Sequence, residues 1–115
     1  MHPRKTIKNL IEKYRRELGI NDKVRYRTRP MKTKAASCNI EKKIIYINKN
    51  ILDLGEKILS YVVLHELIHI KLKSIDHTNE FYEILHRYFS EEEIRRIYET
   101  IVKKLSSINN FAFDL

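Results

Sequence analysis

Apolar and polar positions in the first half of the chain follow two different periods. Between Ile7 and Leu18 apolar residues recur three and four positions apart, and Gly19 follows as a stop signal, which predicts a helix over residues 4–18. Residues 24–29 then alternate arginines with Val, Tyr and Thr, which is the period of a strand with an arginine face.

Two further apolar runs flank a short charged turn. Residues 35–40 and 44–47 stand on either side of the Glu-Lys-Lys turn at 41–43, an arrangement that predicts a hairpin. Together with the arginine strand, this pattern predicts a small, twisted and mostly antiparallel sheet of three strands.

The second half has helical periodicity. Residues 56–73 carry apolar side chains on almost every side, which is typical of a helix buried inside a domain. A second helix is predicted over residues 78–89. Ser90 and Glu93 then form the pattern of a capping box, which opens a third helix that ends at Leu105.

The composition fits one small domain. The 115 residues are 43% apolar, enough for one core, so we expect a single α+β domain over residues 1–105 and a tail over residues 106–115. The longest uncharged apolar run in a predicted helix, residues 58–64, is far shorter than the roughly 20 residues that span a bilayer. Because the N-terminus lacks a signal-peptide pattern, we expect a cytoplasmic protein.

The charge is unevenly distributed. The chain has a formal net charge of +8, and residues 1–50 hold fifteen Lys and Arg against four Asp and Glu. Such asymmetry is consistent with an anionic partner, and the arginine strand makes nucleic acid an alternative partner. Lysine-rich chains also arise through growth at high temperature, which needs no such partner.

The buried helix contains the motif H-E-x-x-H. His65 and His69 are four residues apart and therefore lie on one helix face, where two imidazoles can bind one metal ion. Glu66 is rotated by roughly 100° and can reach a water activated by the metal without binding the metal itself. Left unpaired, these side chains would each carry a desolvation cost in so apolar a helix.

Zinc in a catalytic site needs a third protein ligand and one open position. His77 is the first candidate, because a turn after the helix can bring its imidazole back to the metal. Glu80 is the second candidate, either as a ligand or as a residue that orients one. Cys38 is the sole cysteine, which excludes both an internal disulfide and a multi-cysteine metal site.

These residues resemble a known group of enzymes. The stretch YVVLHELIH over residues 61–69, followed by HTNEF over residues 77–81, resembles the soluble minimal zinc peptidases called minigluzincins and the related SprT-like metallopeptidases. The resemblance spans about residues 24–90. A metzincin, in contrast, would need Gly and His where this chain has Leu72 and Ile75.

The resemblance implies a zinc-dependent endopeptidase that cleaves a peptide or protein substrate and holds one zinc ion per chain. It implies zinc ligands at His65, His69 and His77, with Glu66 as general base and acid. It also implies that the strand near residues 44–48 binds the substrate backbone. The oxyanion donor stays open among Tyr82, His86 and Tyr46, of which His86 could instead orient a ligand.

Two other functional classes stay open at this stage. The chain could be a nucleic-acid-associated protease of the SprT-like kind, or a basic nucleic-acid-binding module whose zinc is purely structural. Salt-dependent binding to nucleic acid would support a nucleic-acid partner. A module with structural zinc would be distinguished from a protease by whether changing Glu66 alters the activity but not the zinc content.

The tail carries apolar side chains that a soluble domain would normally cover. A frayed terminus, or packing on the back of the domain, would explain them without a functional role. In minimal enzymes of the resembled group, the C-terminal segment is described as blocking the active site. We therefore consider a latent zymogen in which the tail occupies the cleft of its own chain or of a second copy in a homodimer. The tail residues that would act in this way are Phe111, Phe113, Asp114 and Leu115.

Overall fold

The computed structural model describes residues 2–109, and its elements follow the predicted order. The predicted α+β fold is confirmed, with four helices and one three-stranded sheet. The elements are α1 (Pro3–Glu17), β1 (Arg25–Arg29), β2 (Ala36–Asn39), β3 (Ile44–Asn48), a 3₁₀ turn (Lys49–Ile51), α2 (Glu56–Leu72), α3 (Asn79–Leu85) and α4 (Glu91–Asn109).

The sheet is mixed, which corrects the prediction that it is mostly antiparallel. Its strand order is β1-β3-β2, with β2 antiparallel to β3 as a hairpin and β1 parallel to β3. The hairpin was predicted, but β3 also inserts between β1 and β2. The loop that follows β1 therefore crosses to the far edge of the sheet, and both β1 and β2 become edge strands.

Asn48, at the end of β3, holds this crossing loop in place. Its side chain is fully buried, and its Nδ2 donates hydrogen bonds to the carbonyl oxygens of Met31 (2.9 Å) and Lys34 (2.8 Å). Its Oδ1 accepts from the backbone N–H groups of Met31 (3.3 Å) and Asn50 (2.9 Å). The side-chain amide thus supplies hydrogen-bond partners for backbone groups of the loop that have no partner in a strand.

Helix α2 forms the centre of the core. Leu59, Val63, Leu64, Leu67 and Ile68 on this helix are fully buried. The helix contacts α1, α3, α4, β2 and β3, which explains why its sequence is apolar on nearly every side. No helix within residues 2–109 is long and apolar enough to cross a membrane.

Helix α4 starts where the capping box predicts and ends later than predicted. The backbone N–H of Ser90 donates to Glu93 Oε1 (3.0 Å), and the N–H of Glu93 donates to Ser90 Oγ (3.1 Å), so the capping box is confirmed. The helix continues past Leu105 to Asn109, so residues 106–109 are helical rather than part of an irregular tail. The Ser107 hydroxyl donates to the Lys104 carbonyl (2.7 Å), which lets a serine lie within the last turns. The tail residues Phe111, Phe113, Asp114 and Leu115 lie outside the described part of the chain.

Candidate metal centre

Three histidines converge at the end of α2. The ring centroids of His65 and His69 are 5.0 Å apart, and the ring of His77 lies 5.1 Å from the first and 4.9 Å from the second. Each residue offers one ring nitrogen, and the three nitrogens lie within 4.8 Å of one another. The structure therefore brings together the three residues that the sequence proposes as a ligand set.

The turn after α2 returns the chain to the motif. Lys73 ends the helix in the left-handed region (φ 54°, ψ 39°), and the N–H of Ser74 donates back to the carbonyl of His69 (3.2 Å). Thr78 then caps α3 by accepting from the N–H of Phe81 (3.2 Å). His77 lies between the end of one helix and the cap of the next, which positions its imidazole at the cluster.

Phe81 forms the floor under the three imidazoles. Its side chain is fully buried, and its ring centroid lies 5.0 Å from that of His65 and 4.8 Å from those of His69 and His77. An apolar floor excludes water from one side of the cluster, so the histidine nitrogens face the cavity on the other side.

Two hydrogen bonds leave a free ring nitrogen on each motif histidine. His69 Nδ1 lies 2.9 Å from the carbonyl oxygen of Ser74, and His65 Nδ1 lies 2.9 Å from Glu66 Oε2. Because a carbonyl or carboxylate oxygen only accepts, Nδ1 carries the proton in both rings and Nε2 keeps its lone pair. Such a second hydrogen bond normally fixes the orientation of a metal-binding histidine.

The surroundings also favour neutral imidazoles. Burial lowers the pKa of His69 below its usual value; the Ser74 hydrogen bond opposes this shift, and nearby His65 adds to it. The pKa of His77 is lowered chiefly by desolvation of its ring and then by His65. Neutral imidazoles with free nitrogens are the form that binds a divalent metal, so this donor set fits zinc.

Glu66 lies inside the cavity, next to the cluster. Its side chain is buried, its carboxylate accepts a hydrogen bond from His65 Nδ1, and the thiol of Cys38 on β2 lies close to it. Burial raises the pKa of the Cys38 thiol to about 12, and the Glu66 carboxylate adds to the shift. The thiol therefore stays protonated, which does not suit a metal ligand.

A cavity of about 540 Å³ opens over these residues. One wall is β2 with the loop before it, and the opposite wall is α4. It is lined by Thr33, Lys34, Ala35, Ala36, Ser37, Cys38, Tyr61, Val62, His65, Glu66, His69, Ile75, His77, Tyr98, Ile101, Val102 and Leu105.

Four other predicted site residues do not line this cavity. Tyr82 and His86 lie at a separate depression beside the start of α4, although the ring of Tyr82 is 6.3 Å from that of His77. Glu80 is exposed in the first turn of α3. Tyr46 points away from α2, with the guanidinium of Arg29 over its ring at 4.3 Å.

The strand at the cleft also differs from the expected one. The resemblance implied that residues 44–48 bind the substrate backbone, but β3 is the central strand and both of its edges are paired. β2 is the edge strand that lines the cavity, so its free edge is the one available to a peptide.

Sequence reasoning missed Tyr61 as a site residue. Its ring lies 5.8 Å from that of His65, and burial raises the pKa of its hydroxyl to about 12. The sequence spacing could have predicted this position, because Tyr61 precedes His65 by four residues and therefore shares its helix face. Cys38 gave no such signal, because its approach to Glu66 depends on how the sheet packs on α2.

A buried glutamate beside three convergent imidazoles in an open cavity is the arrangement of a metallopeptidase, and comparisons with known proteins agree. Residues 2–98 match the YgjP-like family, which is described as a metallopeptidase domain. The chain belongs to this family, which confirms the predicted metallopeptidase related to minigluzincins and SprT-like enzymes.

The similarity extends over nearly the whole of individual relatives. The protein MJ0123 of Methanocaldococcus jannaschii is 38% identical over 103 residues, 89% of this chain and 94% of the relative. The crystal structure of the metallopeptidase zymogen of Methanocaldococcus jannaschii jannalysin matches with a TM-score of 0.76 and 38% identity, over 86% of this chain and 96% of that one. The crystal structure of the metallopeptidase zymogen of Pyrococcus abyssi abylysin matches with a TM-score of 0.78 and 28% identity, over 87% and 95%.

Proposed function

We propose that this metallopeptidase is a zinc-dependent endopeptidase with one zinc ion per chain. In this proposal His65, His69 and His77 hold the zinc, and Glu66 is the general base and acid. The observation that carries the proposal is that three histidine nitrogens within 4.8 Å of one another and a buried carboxylate share one open cavity.

The chemistry follows from these positions. Zinc supplies a Lewis acid that makes water nucleophilic near neutral pH and polarises the peptide carbonyl. Glu66 takes a proton from the attacking water and then delivers it to the nitrogen of the leaving amine. The hydrogen bond from His65 Nδ1 holds the carboxylate of Glu66 in place for both transfers.

The hydroxyl of Tyr61 is the oxyanion donor that we favour. It lines the cavity, and a phenol with a pKa near 12 stays protonated and able to donate at neutral pH. Tyr46, Tyr82 and His86 lack this position, because none of them lines the cavity. A donor of this kind stabilises the negative charge that develops on the carbonyl oxygen.

A substrate peptide would add to the free edge of β2 as a further strand. Backbone hydrogen bonds then give affinity without regard to sequence, and side-chain pockets give preference. The wall formed by Tyr98, Ile101 and Val102 on α4 is apolar, which favours a large apolar residue next to the scissile bond.

A catalytic role for the metal fits better than a structural one. Structural zinc sites are closed by four protein ligands. Within residues 2–109, the group that could hold a metal is three histidines, and it borders a cavity that can admit a substrate.

Latency by the C-terminal segment remains part of the proposal. Jannalysin and abylysin are described as metallopeptidase zymogens, and α4 already forms one wall of the cavity here. Leu105, about one turn before the end of α4, lines the cavity. We propose that the segment after this helix occupies the cleft in the same chain or in a second copy.

Metal analysis with two matched variants tests the proposal. The purified protein should hold about one zinc per chain and cleave a protein substrate, whereas His77→Ala should lose stoichiometric zinc. His86→Ala removes a histidine at the end of α3 and should keep the zinc. Full zinc occupancy in the His77 variant would exclude this ligand set.

A further inference from the structure

The face of the sheet that points away from α2 carries a row of arginines. The sheet packs on α2 through Ile45 and Ile47, which are fully buried, so Tyr46 between them faces outward. Arg27 pairs directly with Tyr46 in the parallel ladder and shares its face. Because alternate residues share a face, Arg25 and Arg29 lie on the same face as Arg27. Neighbouring arginines in this row are about 6.6 Å apart along β1.

The positive charge of this row is not neutralised by acidic neighbours. All three arginines are exposed, and no carboxylate in the described part of the chain lies within 4 Å of their guanidinium groups. Arg27 donates one hydrogen bond to the carbonyl of Tyr26 (3.1 Å), which occupies one of its five donors. The nearby Asp22 pairs with Lys43 at 3.5 Å. The row is therefore available to an anionic partner.

An aromatic ring and two polar side chains continue this face beyond the arginines. The guanidinium of Arg29 lies over the ring of the half-buried Tyr46 in the central strand, 4.3 Å from its centroid. On β2, Ser37 pairs with Tyr46 and Asn39 pairs with Ile44, so both point to the same side. Across the sheet the face thus presents cationic groups, then a stacking surface, then hydrogen-bonding groups.

This order matches three groups of a nucleotide, which are the phosphate, the flat face of the base and the hydrogen-bonding edge of the base. We propose that the outer face of the sheet binds single-stranded RNA. Arg25 and Arg27 contact phosphates, a base stacks on the layer that Arg29 and Tyr46 form together, and Ser37 and Asn39 reach base edges. A duplex would keep its bases from stacking on this flat face, and unpaired strands are the usual target of proteins that read RNA.

The face and the cavity are distinct but adjacent. The three arginines and Tyr46 do not line the cavity, whereas Ser37 on the shared strand β2 does. RNA binding can therefore be measured without any peptidase activity, so it stands or falls separately from the proposed zinc chemistry.

The test measures binding of a short, unstructured, fluorescently labelled RNA strand to the whole protein by anisotropy at several salt concentrations. Two phosphate contacts on a single strand, by Arg25 and Arg27, predict a slope of about −1.4 for log K against log salt. The variant Arg25→Gln/Arg27→Gln/Arg29→Gln should bind at least about tenfold more weakly and lose most of that slope. The matched variant Arg87→Gln/Arg95→Gln/Lys103→Gln removes the same charge from exposed positions elsewhere and should bind nearly as well as the parent.

A second variant tests the stacking surface. Tyr46→Leu should weaken RNA binding about tenfold and leave the salt slope unchanged, because it removes a base contact and no charge. Equal losses in the two charge variants would show binding by net charge alone and overturn the proposal. The proposal would also be overturned if a DNA strand of the same sequence bound and the RNA strand did not. It would be overturned as well if polyglutamate displaced the RNA and the Tyr46 variant bound RNA normally, because the site would then bind any polyanion without base stacking. Thermal unfolding of each variant shows that it is folded.

Discussion

His69 and Ser74 are joined twice, once through the backbone and once through the imidazole. The N–H of Ser74 donates to the carbonyl of His69 (3.2 Å), and His69 Nδ1 donates to the carbonyl of Ser74 (2.9 Å). The turn that ends α2 therefore also fixes the ring of a proposed metal ligand. This turn depends on the left-handed conformation of Lys73.

The left-handed backbone conformation of Lys73 predicts how substitutions at this position change zinc affinity. Lys73→Gly should keep or slightly improve zinc affinity, because glycine adopts this conformation without strain. Lys73→Val should weaken zinc binding roughly 10- to 100-fold, because a β-branched residue disfavours the turn that orients His69. Competition with a chromophoric chelator measures both. Equal affinities in the two variants would show that the turn does not control the ligand.

The role of Glu66 predicts a separation of activity from metal content. Glu66→Gln should retain about one zinc per chain and lose at least roughly 10²-fold in kcat, because the amide cannot accept and return a proton. Glu83→Gln, an exposed position on α3, serves as the matched control. Undiminished cleavage by the Glu66 variant would assign the carboxylate a structural role instead.

The proposed oxyanion donor predicts an effect on kcat rather than on substrate binding. Tyr61→Phe removes one hydroxyl from the cavity and should lower kcat roughly 10²-fold with little change in KM, because the contact strengthens only as charge develops. Tyr82→Phe provides a comparison at the other depression and should change kcat little. A loss confined to KM in the Tyr61 variant would contradict the assignment.

Latency predicts that shortening the chain raises activity. A protein that ends at Asn109 keeps α4 complete and lacks residues 110–115, whereas one that ends at Leu105 also loses the last turn of the helix. If the segment occupies the cleft, both forms should cleave peptides faster than the full chain. Measurements of zinc content and circular dichroism establish that both truncated proteins hold zinc and are folded. Unchanged activity in both would refute inhibition by the tail.

The capping box of α4 predicts a loss of stability in acid. The Lys57 ammonium, 2.8 Å from Glu93, and the Ser90 N–H lower the pKa of the Glu93 carboxyl from 4.5 to about 2. Because the folded state holds this proton less tightly than the unfolded state, the contribution is fully present above about pH 4.5 and is lost as the pH falls toward 2. The Tm of Glu93→Gln should lie below that of the parent at pH 6 and converge with it in acid. Glu91→Gln removes a carboxylate from the same turn that takes no part in the capping box, and it serves as the matched control.

The sequence predicted helices and hairpin well because those features are local. The motif spacing of His65 and His69 and the cap at Ser90 each depend on residues within a turn of one another. The parallel pairing of β1 with β3 depends on a crossing that no local pattern encodes. Tyr46 could have been rejected as an oxyanion donor from the alternation alone, because Ile45 and Ile47 already take the core-facing positions.

Asn48 has a consequence for how this small protein assembles. Its amide fixes the loop at Met31 and Lys34, and Lys34 borders the cavity. The rim of the cleft is therefore tied to a fully buried residue of the central strand and cannot form before that strand is in place. Local opening of the rim should have nearly the same free energy as global unfolding, so the Met31 amide should exchange its hydrogen about as slowly as the amides of the core.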